Sequence, residues 1–361
     1  MRVRPRSVIA LALALCAALL GAGNTASATG PEQDRRRQEQ AYWTARRMAE
    51  AVPVTALLRD PAARPAPGTA LTPVAAPPRP ARRFDGLPMV GTFFFDGAHL
   101  GGRTTYCSGS VVHSAGRNLV LTAGHCAIGL SGARHAVFVP EYHDGAAAGG
   151  QPYGVFPVTA LYVDPRYRAN TKGAASDLDL AFVRVAPNGG SAVESRTGAL
   201  TFGRTPRYDN DVTVVGYPAT GSPTARRRPV RCDVRTSRLK GFHQMRMFCG
   251  GFYGGVSGGP WISGYDPATR TGRIIGNIGG YNGGGNDANS DGVSFSPFYG
   301  KDAQDLYRDA DADRAVRRPA AYRPAPVARR CAPDVTGSPV TALPVVWPAR
   351  ARPERRTPTG L

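Results

Sequence analysis

The chain has no apolar run long enough to cross a bilayer once its first residues are set aside. Val8 to Leu20 forms an apolar stretch of 13 residues, short of the roughly 20 that a spanning helix needs. Arg2, Arg4 and Arg6 precede it and Ala26-Ser27-Ala28 follows it, so residues 1–28 read as a cleavable signal peptide. Cys16 alone does not make this a lipoprotein signal, because Leu15 before it is larger than such processing prefers. Cysteine is scarce as well: six in 361 residues, five once Cys16 leaves with the signal. Export permits disulfides, and an odd number leaves one thiol over. Proximity to the motifs described below suggests the pairs Cys107–Cys126 and Cys232–Cys249. Each closes a loop of about twenty residues, for which the loop-entropy model gives about 3 kcal/mol. Cys331 is the remaining thiol. Histidines are also few, six in all, and no internal repeat is visible.

Charge of one sign is plentiful, but badly placed for a phosphate-binding groove. The net charge is +19, yet residues 85–313 carry 22 Lys and Arg against 19 Asp and Glu. The excess lies in the flanks: ten basic against five acidic residues in 29–84, and ten against two in 314–361. Nucleic-acid binding needs its cations on folded elements, so that class is set aside. The arginine-rich end is read as a disordered tail, with electrostatic association to anionic cell-wall polymers as its candidate role.

Four segments follow. Residues 1–28 are the signal peptide, 29–84 a pro-region and linker, 85–313 the folded domain and 314–361 the Pro/Arg-rich tail. Within 29–84, Tyr42, Trp43, Met48 and Leu57–Leu58 lie among Arg and Glu, which predicts a short amphipathic helix. Pro61 to Arg83 reads as an extended linker. From Leu87 to about Asp309, short β-rich runs recur between turn residues. They are Val90–Phe95, Ser110–Val112, Leu119–Thr122, Ala136–Val139, Val158–Val163, Leu180–Val185, Val212–Tyr217, Met245–Phe248, Gly259–Ile262, Arg273–Ile278 and Gly292–Phe298. The class is all-β, a sandwich or barrel, with one short helix at Ala303–Ala310.

Two motifs carry the chemistry. In Leu-Thr-Ala-Gly-His-Cys (121–126), an apolar strand runs into small residues and delivers His125 at its end. In Gly-Val-Ser-Gly-Gly-Pro (255–260), glycines let the chain turn tightly around Ser257. A serine hydroxyl becomes a useful nucleophile only when a positioned base takes its proton. The amides of Gly255 and Ser257 are candidates for an oxyanion hole. A carboxylate must hold the imidazole in one tautomer. Asp177 and Asp179, in Ser-Asp-Leu-Asp-Leu-Ala-Phe-Val (176–183), are the candidates. The second is favoured because it directly precedes a buried-looking strand.

These motifs, in the order His, Asp, Ser, resemble the trypsin/chymotrypsin-like serine peptidases. Val-Gly-Tyr-Pro (215–218), Cys-Ser-Gly-Ser-Val-Val (107–112) and Ser-Gly-Gly-Pro-Trp (257–261) look like the extracellular bacterial (actinobacterial) branch related to the V8-type glutamyl endopeptidases. Residues 41–48 look like pro-regions of secreted actinobacterial peptidases. The resemblance covers about residues 85–310. It implies two six-stranded antiparallel β-barrels packed at right angles, with the site between them. It further implies a monomeric secreted endopeptidase acting on protein or peptide through an acyl-enzyme, without metal or cofactor. Two departures stand out. Val256 occupies the position where the animal enzymes keep the aspartate of a zymogen salt bridge. Gly251, six residues before the serine, replaces the aspartate of trypsin-like enzymes, and Asn277 stands where the glutamate-specific branch has a histidine. A charge requirement before the scissile bond is therefore not expected. Gly279 and Gly280 look like the edge that pairs with an extended substrate.

Three weaker signals complete the reading. Asp287 to Gly292 matches the first half of a calcium loop, but its twelfth position is Phe298, so a surface turn is preferred. The run Arg226-Arg227-Arg228 reads as a solvated loop and a candidate self-cleavage site. The alternative function is a catalytically silent secreted binding protein on the same scaffold.

Overall fold

The computed structural model describes residues 30–58, 79–169, 171–220, 226–286 and 291–313. The signal peptide, most of the linker, the tail with Cys331, and residues 287–290 of the candidate calcium loop lie outside the described residues.

The chain enters through α1 (Gly30–Tyr42), α2 (Ala45–Ala49), the short β1 (Val52–Pro53) and α3 (Val54–Leu57). After the linker, β2 (Arg82–Arg83) joins the far half of the molecule. The first half then forms from β3 (Val90–Asp96), β4 (Thr104–Val112) and β5 (Leu119–Thr122). It continues through α4 (Gly124–Leu130), β6 (Arg134–Pro140), β7 (Phe156–Val163) and β8 (Ala181–Val185). Six of these strands close on themselves in the order β4-β3-β6-β7-β8-β5, with β5 returning to β4. β1 adds to the outside of β4 in parallel.

The second half follows α5 (Val193–Thr197). It comprises β9 (Thr201–Phe202), β10 (Asp211–Gly216), β11 (Val230–Arg235), β12 (Ser237–Leu239), β13 (Gln244–Phe248), β14 (Pro260–Asp266), β15 (Thr271–Asn277) and β16 (Val293–Pro297). The amphipathic α6 (Lys301–Asp311) packs back on the first half through Leu306, Ala303 and Ala310. Here the expectation of a second closed six-stranded barrel is corrected. β2-β11-β10-β14-β15-β9 is an open sheet, and β12-β13-β16 is a separate one. The break falls between β15 and β16. There the Asn277 N–H bonds the Ser296 hydroxyl (3.0 Å) in place of a ladder carbonyl. The Cys232–Cys249 disulfide ties β11 to the end of β13, and the two sheets share a core that includes Val214, Met245, Met247 and Trp261.

No residue of β3 is exposed, so the strand lacks the alternation of a half-solvated sheet. Phe93 faces inward onto Phe138, with ring centroids 4.9 Å apart. Phe94, on the opposite face, meets Trp43 and Tyr142. The cover on that outer face is the N-terminal segment. Trp43, Met48 and Val54 are fully buried in the main core. The packing thus carries the folded unit back to Gly30, upstream of the boundary read from sequence at residue 85. No helix among the described residues is long and apolar enough to cross a membrane.

Candidate active site

β5 ends at Thr122 and α4 begins at Gly124, so His125 sits in the first turn of the helix and is fully buried. Asp179 approaches from the C-terminal end of a single 3₁₀ turn, Ala174–Leu178, just before β8. Its carboxylate bridges the histidine twice. Oδ1 accepts the His125 backbone N–H (2.9 Å), and Oδ2 lies 3.0 Å from the ring Nδ1. The Gly280 N–H gives Oδ2 a further bond of 2.7 Å. Burial by itself pushes this carboxyl up. The His125 ring outweighs it, aided by the Gly280 and His125 amides, and the group is held below the ordinary carboxylate range.

Asp177 goes elsewhere, because the 3₁₀ turn removes the strand parity that would have aligned the two acids. Its Oδ1 accepts from Gln244 Nε2 (2.8 Å) and from the His243 N–H (3.2 Å). With Nδ1 directed to Asp179, the other ring nitrogen of His125, Nε2, is buried and among the described residues makes no hydrogen bond.

The Ser257 turn is fastened to both halves. The Ser108 N–H of β4 bonds the Ser257 carbonyl (2.9 Å), and Gly258 N–H bonds the Ile278 carbonyl (2.7 Å) beyond β15. Gly258 has φ +83°, and a side chain there would collide with Thr122 Oγ1 and the Ser108 carbonyl. That closeness sets the serine beside the segment leading into His125. Cys126 Sγ, in the disulfide with Cys107, lies 3.9 Å from the Ser257 carbonyl.

At Gly255 (φ +97°) a Cβ would enter the Tyr106 ring, so only glycine fits. The Gly254 carbonyl is held by the Ala219 N–H (2.7 Å), which turns the Gly255 N–H to the opposite side of that peptide. Among the described residues neither the Gly255 nor the Ser257 amide has an acceptor.

Sequence reasoning missed the role of Ser108. Its hydroxyl accepts the Tyr217 N–H (2.9 Å) and donates to the Gly255 carbonyl (2.9 Å), so two motifs noted only for their likeness brace the serine turn. Ser257 opens on a cleft of about 370 Å³ whose side-chain walls include Phe252, Val256, Ile278 and Val293, with Gly283 to Gly285 along one side. Among the described residues no charged side chain lines it.

The four residues read as substrate-binding sit differently. Asn277 is fully buried behind Asp179. Its Nδ2 donates to the Asp179 carbonyl (3.1 Å), while its Oδ1 accepts the Tyr299 hydroxyl (2.6 Å). Gly280 gives its N–H to Asp179, and Gly279 gives its own to Phe295. The chain then coils into a 3₁₀ turn, Tyr281–Gly283, so this stretch is not an extended edge. Gly251 is half-buried, outside the cleft walls, and bonds Asp291 Oδ2 (2.6 Å). Cys107, Cys126 and His125 lie close together, but both sulfurs belong to the disulfide and offer no thiolate to a metal.

In the arginine run Arg226 and Arg228 are exposed, and the reading is corrected at Arg227 alone. Arg227 is only 6% exposed, its guanidinium bonding the carbonyls of Met48, Ala49 and Ala51 and stacking on Tyr106. A cation against the carbonyls at a helix C-terminus explains why it is drawn inside.

With fold and site described, the comparisons define the class. Residues 107–276 match the family model of the trypsin-like peptidase domain. Among solved structures, the protease Anisep from Arthrobacter nicotinovorans is similar over 64% of this chain and 99% of its own, at 26% identity and a TM-score of 0.53. A thermostable serine protease, AL20, from an extremophilic microorganism covers 62% of this chain and 97% of its own, at 26% identity and a TM-score of 0.50. No curated protein matches the sequence. The fold is chymotrypsin-like, and the chain carries a trypsin-like peptidase domain.

Proposed function

We propose that this protein is a secreted serine endopeptidase that hydrolyses peptide bonds through an acyl-enzyme. Ser257 Oγ attacks the scissile carbonyl, and His125 Nε2 takes its proton and returns it to the leaving amine. Asp179 holds the ring with Nδ1–H toward itself and stabilises the imidazolium. The Gly255 and Ser257 amides receive the developing oxyanion. The observation that carries this reading is the His125 ring itself. One nitrogen is fixed by a buried carboxylate, while the other is buried beside the serine turn without a partner among the described residues.

Cleft walls that carry no charge among the described residues favour an apolar residue before the scissile bond and impose no charge requirement. Two disulfides accord with export. Cleavage of a random peptide library by the secreted protein, with Ser257→Ala as control, tests the proposal. Cuts after apolar residues, absent in the variant, are expected. Cuts strictly after Arg, Lys or Glu would contradict the assigned pocket, and identical cutting by the variant would contradict the mechanism.

A further inference from the structure

Pro53, Thr55 and Ala56 share the walls of the cleft on which Ser257 opens, although they arrive from the N-terminal segment. β1 lies along β4 with Val52 opposite Thr105 and Pro53 opposite Tyr106. Two residues further along β4, Ser108 holds the Ser257 carbonyl. The following turn of α3 crosses the serine turn closely. A Cβ at Gly254 would lie 3.1 Å from Thr55 Oγ1 and 3.3 Å from Pro53 Cβ.

Chemistry says which side of the scissile bond this is. The leaving amine takes its proton from His125, so the product departs past the histidine. Tyr106 and Cys107 stand on that side, the latter bonded to Cys126 next to His125. An extended peptide leaving this way would add to the edge of β4 as a strand, and β1 already holds that place. The hold is firm. Arg227 fastens three carbonyls between Met48 and Ala51, the Trp43 indole N–H bonds the His135 carbonyl (2.9 Å), and Tyr42 stacks on the His135 ring with centroids 3.6 Å apart.

We infer that Val52–Leu57 is a resident occupant of the leaving-group side of the cleft, competing with the residues that follow the scissile bond of a peptide substrate. The inference rests on the peptidase reading above. A substrate with a small leaving group passes, whereas a peptide extended beyond the scissile bond must first displace the segment. Its apparent affinity is then reduced by the fraction of molecules in which the segment is lifted.

The test uses protein carrying residues 30–58 intact and two substrates with one acyl half. One is a thiobenzyl ester, the other an internally quenched peptide with four residues after the scissile bond. Trp43→Ala loosens the anchor at a distance from the site, and Trp43→Phe keeps the ring packing while removing the bond to His135. The expected result is that Trp43→Ala raises kcat/KM for the peptide by about tenfold or more, with a smaller rise in Trp43→Phe. Ester hydrolysis stays unchanged in both. Equal falls on both substrates would make the segment a structural wall and overturn the inference. Rates that move on neither substrate would overturn it too. Absence of ester hydrolysis in every form would remove the peptidase reading itself, and the inference with it.

Discussion

The half that carries His125 and Asp179 is a closed ring of six strands, while the half that opens the cleft beside Ser257 is two sheets joined by a disulfide and side-chain bonds. In the first half, His125 and Asp179 are set by β5, α4 and the turn before β8, and both side chains are fully buried. In the second, the residues next to β15 serve the site from behind. Asn277 and Gly280 bond Asp179, and Ile278 bonds the serine turn. The acid is therefore gripped by both halves, and so is the serine. A closed barrel supplies rigidity where a ring must be aimed, and an open pair of sheets leaves room for a cleft.

The largest expected effect comes from the residue shared by the halves. On the proposed mechanism, Ser257→Ala should lower kcat by about 10⁶, by analogy with triad deletions in serine peptidases, measured on an ester substrate. Asp179→Asn should follow at about 10⁴. Asp177→Asn should cost far less, because that carboxylate holds Gln244 and His243, not His125. A fall with Asp177→Asn as large as with Asp179→Asn would break the distinction between the two acids.

Disulfides sharpen the contrast between the halves. Replacing either pair by alanine should cost about 3 kcal/mol in denaturant unfolding. Only loss of Cys107–Cys126, which ties β4 beside His125, should also reduce kcat. Loss of Cys232–Cys249 should leave kcat near its starting value, because that bond joins the rear sheets.

Acid has the smallest effect, and its sign is fixed. Asp179 is more acidic folded than unfolded, so the unfolded chain binds the extra proton first. The stabilisation is complete above the unfolded value of about 4 and is lost as pH falls through the lower folded value. Thermal unfolding between pH 7 and pH 3 should show a shallower acid slope in Asp179→Asn than in the parent (~pH window set by the ordinary carboxylate value). An unchanged slope would mean that Asp179 is not held as described.

Much of this was legible in sequence wherever the determinants are local. His125 and Ser257 announce themselves in short runs of small residues, and the runs Val90–Phe95 and Leu119–Thr122 became strands at almost those limits. Both disulfides formed between the cysteines nearest the motifs. What was hidden depends on distant partners. Trp43 is buried against Phe94, and Arg227 finds its acceptors around Met48, contacts that no local pattern encodes. β9 and β2 are two-residue strands, too short to carry a period. Asn277 was placed in the pocket by position along the chain, whereas hydrogen bonding to Tyr299 and Asp179 turned it inward.

The most direct test of the account is peptide mapping after treatment of the protein with a fluorophosphonate. A single adduct on Ser257, lost in His125→Ala, is the predicted result. No adduct on Ser257, or labelling undiminished in His125→Ala, would contradict it.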